Sequence, residues 1–204
     1  PPVTMSFSND GATFTDPEPF SATKEWELPS GDGAKDVFVV FTDLAGNIAL
    51  DTDRITLDTT APTGTMTIDG GAAYTRDTSV LLSLTIVENT APIQMQFSDD
   101  GVTYSALEPF AFSKVRVIPA GDGPKTVYVR YQDGAGLLSD PIPDAITLDG
   151  TAPTGDIQIN NNAGYTPFLT VTLNLTATDV TSPPITMKFS NDGTNFSTPE
   201  PFAT

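Results

Sequence analysis

The sequence predicts an all-β protein made of tandem copies of one β-sandwich module of about 90 residues. Three observations carry that prediction. Residues Pro1–Phe20 (PPVTMSFSNDGATFTDPEPF) return at Ala91–Phe110 (APIQMQFSDDGVTYSALEPF) and at Pro183–Phe202 (PPITMKFSNDGTNFSTPEPF). That spacing is far above a solenoid turn and close to one small sandwich. The apolar residues alternate with period two, and no stretch of ten or more residues carries a helical period. Eighteen prolines and sixteen glycines lie scattered through the chain, as many short strands joined by turns require.

Two segments punctuate the repeats, Asp58-Thr59-Thr60-Ala61-Pro62-Thr63-Gly64 and Asp149-Gly150-Thr151-Ala152-Pro153-Thr154-Gly155. Each follows an Ile-Thr-Leu-Asp strand end, and a proline followed by glycine breaks a strand while limiting bending. Module boundaries placed there give the C-terminal part of one repeat over residues 1–60 and a complete repeat over 61–151. The N-terminal part of a third occupies 152–204. Partial sandwiches expose sheet edges and half a core. Either the chain is a window from a longer array, or neighbouring chains complete the partial repeats by exchanging strands.

Within the complete repeat, strands are expected near Thr65–Ile68 and over Ser79–Val87, where Val80, Leu82, Leu84 and Ile86 share one face. The next is Pro92–Ser98, with Ile93, Met95 and Phe97 on one face. Val102–Ser105, Phe112–Ile118, Lys125–Tyr131 and Ala145–Leu148 complete about seven strands, a sandwich count. Asn9-Asp10-Gly11, Asp99-Asp100-Gly101 and Asn191-Asp192-Gly193 read as tight hairpin turns in which both central residues take positive φ. Phe14, Tyr104 and Phe196 are then expected to pair across the hairpin with Phe7, Phe97 and Phe189. The Glu-Pro-Phe elements at 18–20, 108–110 and 200–202 read as turns whose phenylalanine packs inward.

Twenty-six acidic residues against nine basic ones give a net charge of −17. Such a chain repels phosphate backbones and anionic lipid, which excludes nucleic acid as a partner. No apolar run reaches the roughly 18 residues that span a bilayer, so no membrane insertion is expected within this segment. With no cysteine and no histidine, disulfides, thiol chemistry and the commonest proton shuttle are gone. The prominent acids recur in turns and linkers of each copy, where turn geometry explains them, so no enzymatic activity is expected.

The D-T-T-A-P-T-G junction at 58–64, the D-x-A-G-N run at Asp43–Asn47, the F-S-N-D-G hairpins and the G-D-G-x-K turns at Gly31–Lys35 and Gly121–Lys125 together resemble the bacterial immunoglobulin-like (Ig-like) repeats of large exported and surface proteins. The resemblance covers the whole length. It implies tandem Ig-like β-sandwich modules in an extracellular or cell-surface stalk, spacer, adhesin arm or fibre. Its partners would be neighbouring repeats of the same chain, identical chains in a fibre, or a glycan or protein ligand held by loops. The middle copy departs from the run, with Leu137 where the pattern has asparagine.

Calcium is the one cofactor the residues point to. Asp43, Asn47 and Asp58 in the first copy, and Asp133 and Asp149 in the second, are candidate ligands near the module ends, since hard cations want several carboxylate and carbonyl oxygens. Leu137 removes one candidate oxygen. The ligand spacing is weak, which favours the plainer reading as strand caps and solubilising charge. Trp26 is turned inward by alternation, yet its equivalent is Arg116, costly in a core unless the position lies at a rim. Trp26 and the outward-facing Phe38 and Val40, where the second copy has Tyr128 and Arg130, are candidate contacts for a neighbouring chain or a sugar.

Overall fold

The computed structural model describes residues 3–202 apart from Asn89. Its regular structure is almost wholly β, broken only by two single 3-10 turns among the described residues. The described residues fall into two compact units, one within 1–63, 88–93 and 132–139, the other within 64–87, 94–131 and 140–204.

In the first unit, β1 (Thr4–Ser8), β2 (Glu18–Pro19), β3 (Gly33–Thr42) and β4 (Ile48–Leu57) form one antiparallel sheet in the order β2-β1-β3-β4. The long β3–β4 ladder runs from Gly33 opposite Leu57 to Thr42 opposite Ile48.

The second unit holds an all-β, Ig-like sandwich. Its strands are β5 (Thr63–Ile68), β6 (Tyr74–Thr75), β7 (Ser79–Val87), β8 (Gln94–Ser98), β9 (Glu108–Pro109), β10 (Ser113–Val117), β11 (Gly123–Gln132) and β12 (Ile142–Leu148). They form a three-stranded sheet, β10-β7-β5, and a five-stranded sheet, β6-β12-β11-β8-β9. Period-two alternation gives each sheet one apolar face. The two faces close on a single core to which β5 and β7 give Met66, Ile68, Val80, Leu82 and Leu84, and the other sheet gives Met95, Phe97, Val127, Val129 and Tyr131 among others. Burial holds the Tyr131 phenol up at about 12 while its hydroxyl donates to the Thr65 carbonyl. The same unit contains β13 (Thr154–Ile159) paired with β14 (Leu173–Thr178), and β15 (Thr186–Met187) paired with β16 (Glu200–Pro201).

Two local expectations are corrected. Val102–Ser105 is a loop, because the Asp100 carboxylate takes the Val102 and Thr103 N–H groups that a ladder would have used. The Glu-Pro-Phe elements open as two-residue edge strands, where proline's missing N–H costs no ladder bond. Phe110 nevertheless packs against the core.

The Asp-Gly turns are also built differently from a two-residue hairpin. Only the glycine takes positive φ, at 69°, 73° and 73° for Gly11, Gly101 and Gly193. The second residue instead acts as a side-chain cap. Asp10 Oδ1 accepts from the Ala12 and Thr13 N–H groups, while Ser8 Oγ accepts from Asp10 and Gly11 and donates to Asp10. Ser98–Asp100 and Ser190–Asp192 repeat every one of these bonds.

Those donors hold the Asp10 carboxyl down at about 2, the Thr13 N–H first among them, and hold Asp100 and Asp192 lower still. A carboxyl depressed in the folded state stabilises the fold above its unfolded value of about 3.9, and that stabilisation fades as pH falls through the folded value. The chain should therefore lose stability as acid is added from about pH 4 to pH 2 and below. Asp100→Asn should flatten the acid side of a melting-temperature profile for the middle repeat.

Candidate cation site

Three carboxylates from distant stretches of the first unit converge. Asp58 follows β4, Glu88 follows β7 and Asp133 follows β11. One carboxylate oxygen from each lies within 4.8 Å of the other two. Asp133 is only 4% exposed. Its Oδ1 accepts from the Ala135 and Leu137 N–H groups at 2.9 Å, closing a tight loop. Segments 88–93 and 132–139 are stitched together where Gly134 donates to the Thr90 carbonyl. A side chain at Gly134 would place its Cβ 2.2 Å from the Ala91 carbonyl oxygen, so only glycine fits that approach. Glu88 Oε1 accepts from the Thr90 N–H, and Asp58 Oδ1 from the Thr60 N–H.

What remains is two buried oxygens with no hydrogen-bond partner, Asp133 Oδ2 and Asp58 Oδ2. Buried carboxylate oxygens are costly unless something positive satisfies them. Oxygens on opposite sides of a calcium ion stand about 4.6–5.2 Å apart, twice the usual bond length, so this spacing suits a hard cation.

Of the residues singled out in the sequence, Asp58 and Asp133 therefore come together, with Glu88 as the third acid. Asp43 and Asn47 bond one another instead: Asn47 Nδ2 donates to Asp43 Oδ2 and its N–H to Oδ1. The Asn47 amide is the main cause of the lowered Asp43 carboxyl. Asp149, the equivalent of Asp58, accepts from the Ser182 hydroxyl and the Thr151 N–H. The departure at Leu137 acquires a new meaning. Leucine keeps the backbone donor of this loop but lacks the amide that occupies Asp43 Oδ2 in the first copy, so the matching Asp133 oxygen is left open. Rather than only removing a ligand, Leu137 frees one.

The joints after β4 and β12 carry a second recurring device. Asp32 accepts from the Thr59 N–H and from both Thr59 and Thr60 hydroxyls, the Thr60 hydroxyl leading in lowering its carboxyl. Asp122 receives the Gly150 N–H and the Thr151 hydroxyl in the same way. These bonds fix the direction in which the chain leaves each ladder.

Trp26 and Arg116 turn out to do the same job. Trp26 lies on the Phe7 ring, centroids 5.3 Å apart, and its Nε1 donates to Asn9 Oδ1. Arg116 lies 5.6 Å over the Phe97 ring and donates to Asp99. A planar group with an N–H covers the phenylalanine of the equivalent strand, β1 or β8, in both copies, and the acceptor changes with its charge. Trp26→Arg should therefore lower the melting temperature alone and recover when combined with Asn9→Asp, a coupling that a double-mutant thermal melt reads. Phe7 thus packs on Trp26. Phe38 packs flat on Gly11, whose Cβ would meet its ring at 3.2 Å, as Tyr128 does on Gly101. Val40 is half-buried on β3 opposite Ser6 and Leu50.

No family model matches the chain, and no curated protein sequence matches it. Among solved structures, the chain is similar to fibronectin(III)-like modules of Clostridium thermocellum CbhA, with a TM-score of 0.40 and 15% identity over 71% of this chain and 76% of that one. It is also similar to a tetra-tandem repeat in the extending region of a large adhesion protein, with a TM-score of 0.36 and 20% identity over 98% of this chain and 55% of that one. No helix among the described residues is long and apolar enough to cross a membrane.

Proposed function

We propose that this chain is a non-enzymatic structural section of a bacterial extracellular or cell-surface stalk or fibre, built of Ig-like repeats divided at 60/61 and 151/152, with calcium held by Asp58, Glu88 and Asp133. The observation that carries the mechanical reading is repetition of construction rather than of any reactive cluster. The Ser-Asp-Gly turn is bonded identically three times and the aspartate–threonine clamp twice, while the middle repeat seals its own core. Copies that share a frame and its clamps supply length and stiffness. The buried carboxylate oxygens carry the calcium reading. Asp58 belongs to the first sequence repeat and Glu88 and Asp133 to the second, so an ion on all three would tie the end of one repeat to the next.

Single-molecule stretching tests the mechanical role. The repeat at 61–151 should give one discrete unfolding step that lengthens the chain by roughly 30 nm, the reach of about 90 extended residues. Extension without any discrete step would contradict it.

A further inference from the structure

We infer that the outer face of the middle repeat's five-stranded sheet binds a carboxylated sugar, with Arg130 taking the carboxylate and Tyr104, Tyr128 and Gln96 surrounding the sugar ring. The inference goes beyond the stalk reading and does not depend on calcium. All four residues belong to the complete repeat and to one compact unit. The alternation that turns Val127, Val129 and Tyr131 into the core turns Tyr128 and Arg130 to the opposite face of β11. Gln96 faces the same way on β8, between the buried Met95 and Phe97, and β8 is the hydrogen-bonded neighbour of β11. In the first sheet the equivalent residues, Ser6 and Val40, stand directly opposite one another. Tyr104 arrives from the turn that Ser98 and Asp100 cap, and its ring centroid lies 4.5 Å from the Arg130 guanidinium carbon.

Two donors of this stack have nothing to bond. Arg130 Nε and the Tyr104 hydroxyl are buried with no hydrogen-bond partner among the described residues. Leaving both unpaired raises the energy of the closed stack, so turning the Tyr104 ring aside to admit an acceptor costs little. The charge is equally unclaimed. Of the four arginines, Arg54, Arg76 and Arg116 pair with Asp36, Asp77 and Asp99, whereas Arg130 is in no ion pair among the described residues. In a chain with twenty-six acids and nine bases, an arginine without a carboxylate is the exception. A ring face attracts the cation, yet it does not fill the planar fork that matches a carboxylate.

The first copy supplies the contrast. Phe14, Phe38, Val40 and Ser6 stand where the middle copy has Tyr104, Tyr128, Arg130 and Gln96. The frame is shared, since Phe38 packs on Gly11 as Tyr128 packs on Gly101. Packing therefore requires neither the tyrosine hydroxyls nor the charge, and the amide replaces a shorter polar group. Four neighbouring positions change together, and each change adds hydrogen-bonding reach on one face. One guanidinium takes one carboxylate by two parallel hydrogen bonds. The glutamine amide suits sugar hydroxyls, and the tyrosine rings suit the C–H face of a pyranose. A net charge of −17 repels a polyanion, so the ligand is a single uronate in an otherwise neutral glycan.

The test follows the four arginine Nε–H signals of the whole chain by NMR while methyl glucuronide is added. The expected result is a saturable shift of the Arg130 signal in the millimolar range, with the other three unmoved. Methyl glucoside, which carries a hydroxymethyl group in place of the carboxylate, should bind about tenfold more weakly, the worth of one charge-assisted contact. Arg130→Val installs the residue of the first copy and should abolish glucuronide binding, read from the Tyr104 and Tyr128 ring signals, with the fold checked by circular dichroism. Arg130→Lys keeps the charge but loses the fork, and should weaken binding severalfold. No saturable shift with glucuronide, or glucoside binding as tightly, overturns the proposal. So does a glucuronide response that survives Arg130→Val. Tighter binding of a glutamate capped by acetyl and amide groups also overturns it, and would make this face a peptide site.

Discussion

Leu82→Ala should cost the middle repeat about 2–5 kcal/mol, the range for deleting a large aliphatic side chain from a packed interior. Leu82 is fully buried on β7 between the two sheets, in contact with the core that Ile68, Val127 and Tyr131 complete. Its neighbours are held by ladders on both sides, so the cavity cannot collapse cheaply. Leu173→Ala makes the same chemical change at the equivalent position of the third copy, where the side chain is 37% exposed. It should cost well under half as much. Denaturant unfolding of the two variants, followed by intrinsic fluorescence and circular dichroism, measures the contrast. Equal costs would mean that the third copy has a closed core.

Gly64→Ala should be nearly as damaging for a different reason. A Cβ at Gly64 would stand 2.1 Å from the Thr85 carbonyl oxygen and 2.8 Å from the Tyr131 ring. Neither neighbour is the loose end of a flexible side chain: one is β7 backbone and the other a buried ring. The strand must shift away from β7 or the ring must leave its place, and overpacking of this kind costs about 1–3 kcal/mol. The upper end is expected, because Thr65 beside it donates its N–H to Thr85 Oγ1 and would move too. Gly70→Ala is the control for glycine's backbone freedom, since it sits at φ 67° with nothing within 4 Å of its Cβ. Its cost should be conformational strain alone, about 1 kcal/mol.

The sequence makes visible what depends on local pattern. The alternation over Ser79–Val87 marks β7 residue for residue and names its buried face, because a half-exposed strand imposes period two on its own side chains. Where a side chain competes for the backbone, pattern misleads: Val102–Ser105 alternates acceptably yet is a loop, since Asp100 claims its N–H groups. Two of the three acids of the candidate site are legible because Asp58 and Asp133 sit in repeated motifs. Glu88 is not, since its importance arises only when stretches 30 and 45 positions apart meet. One signal was available: an acid follows the same strand in the third copy, at Asp179. The roles of Leu137 and of the Trp26–Arg116 exchange depend on which atoms are left without partners, and that emerges only in three dimensions.

The most direct test of the account is calorimetry of the whole chain in calcium and in chelator, beside Asp133→Asn. Asparagine keeps an oxygen for the Ala135 and Leu137 N–H groups but removes the charge aimed at the cluster. Calcium at a hundredfold excess over its dissociation constant adds about 2.7 kcal/mol to a folded-state site, or roughly 10 °C or more for a domain of this size. The wild-type melting temperature should rise by that order in calcium. Asp133→Asn should abolish the rise, and Leu137→Asn should weaken it by occupying Asp133 Oδ2. A wild-type melting temperature identical in calcium and chelator would contradict the cation-tied joint.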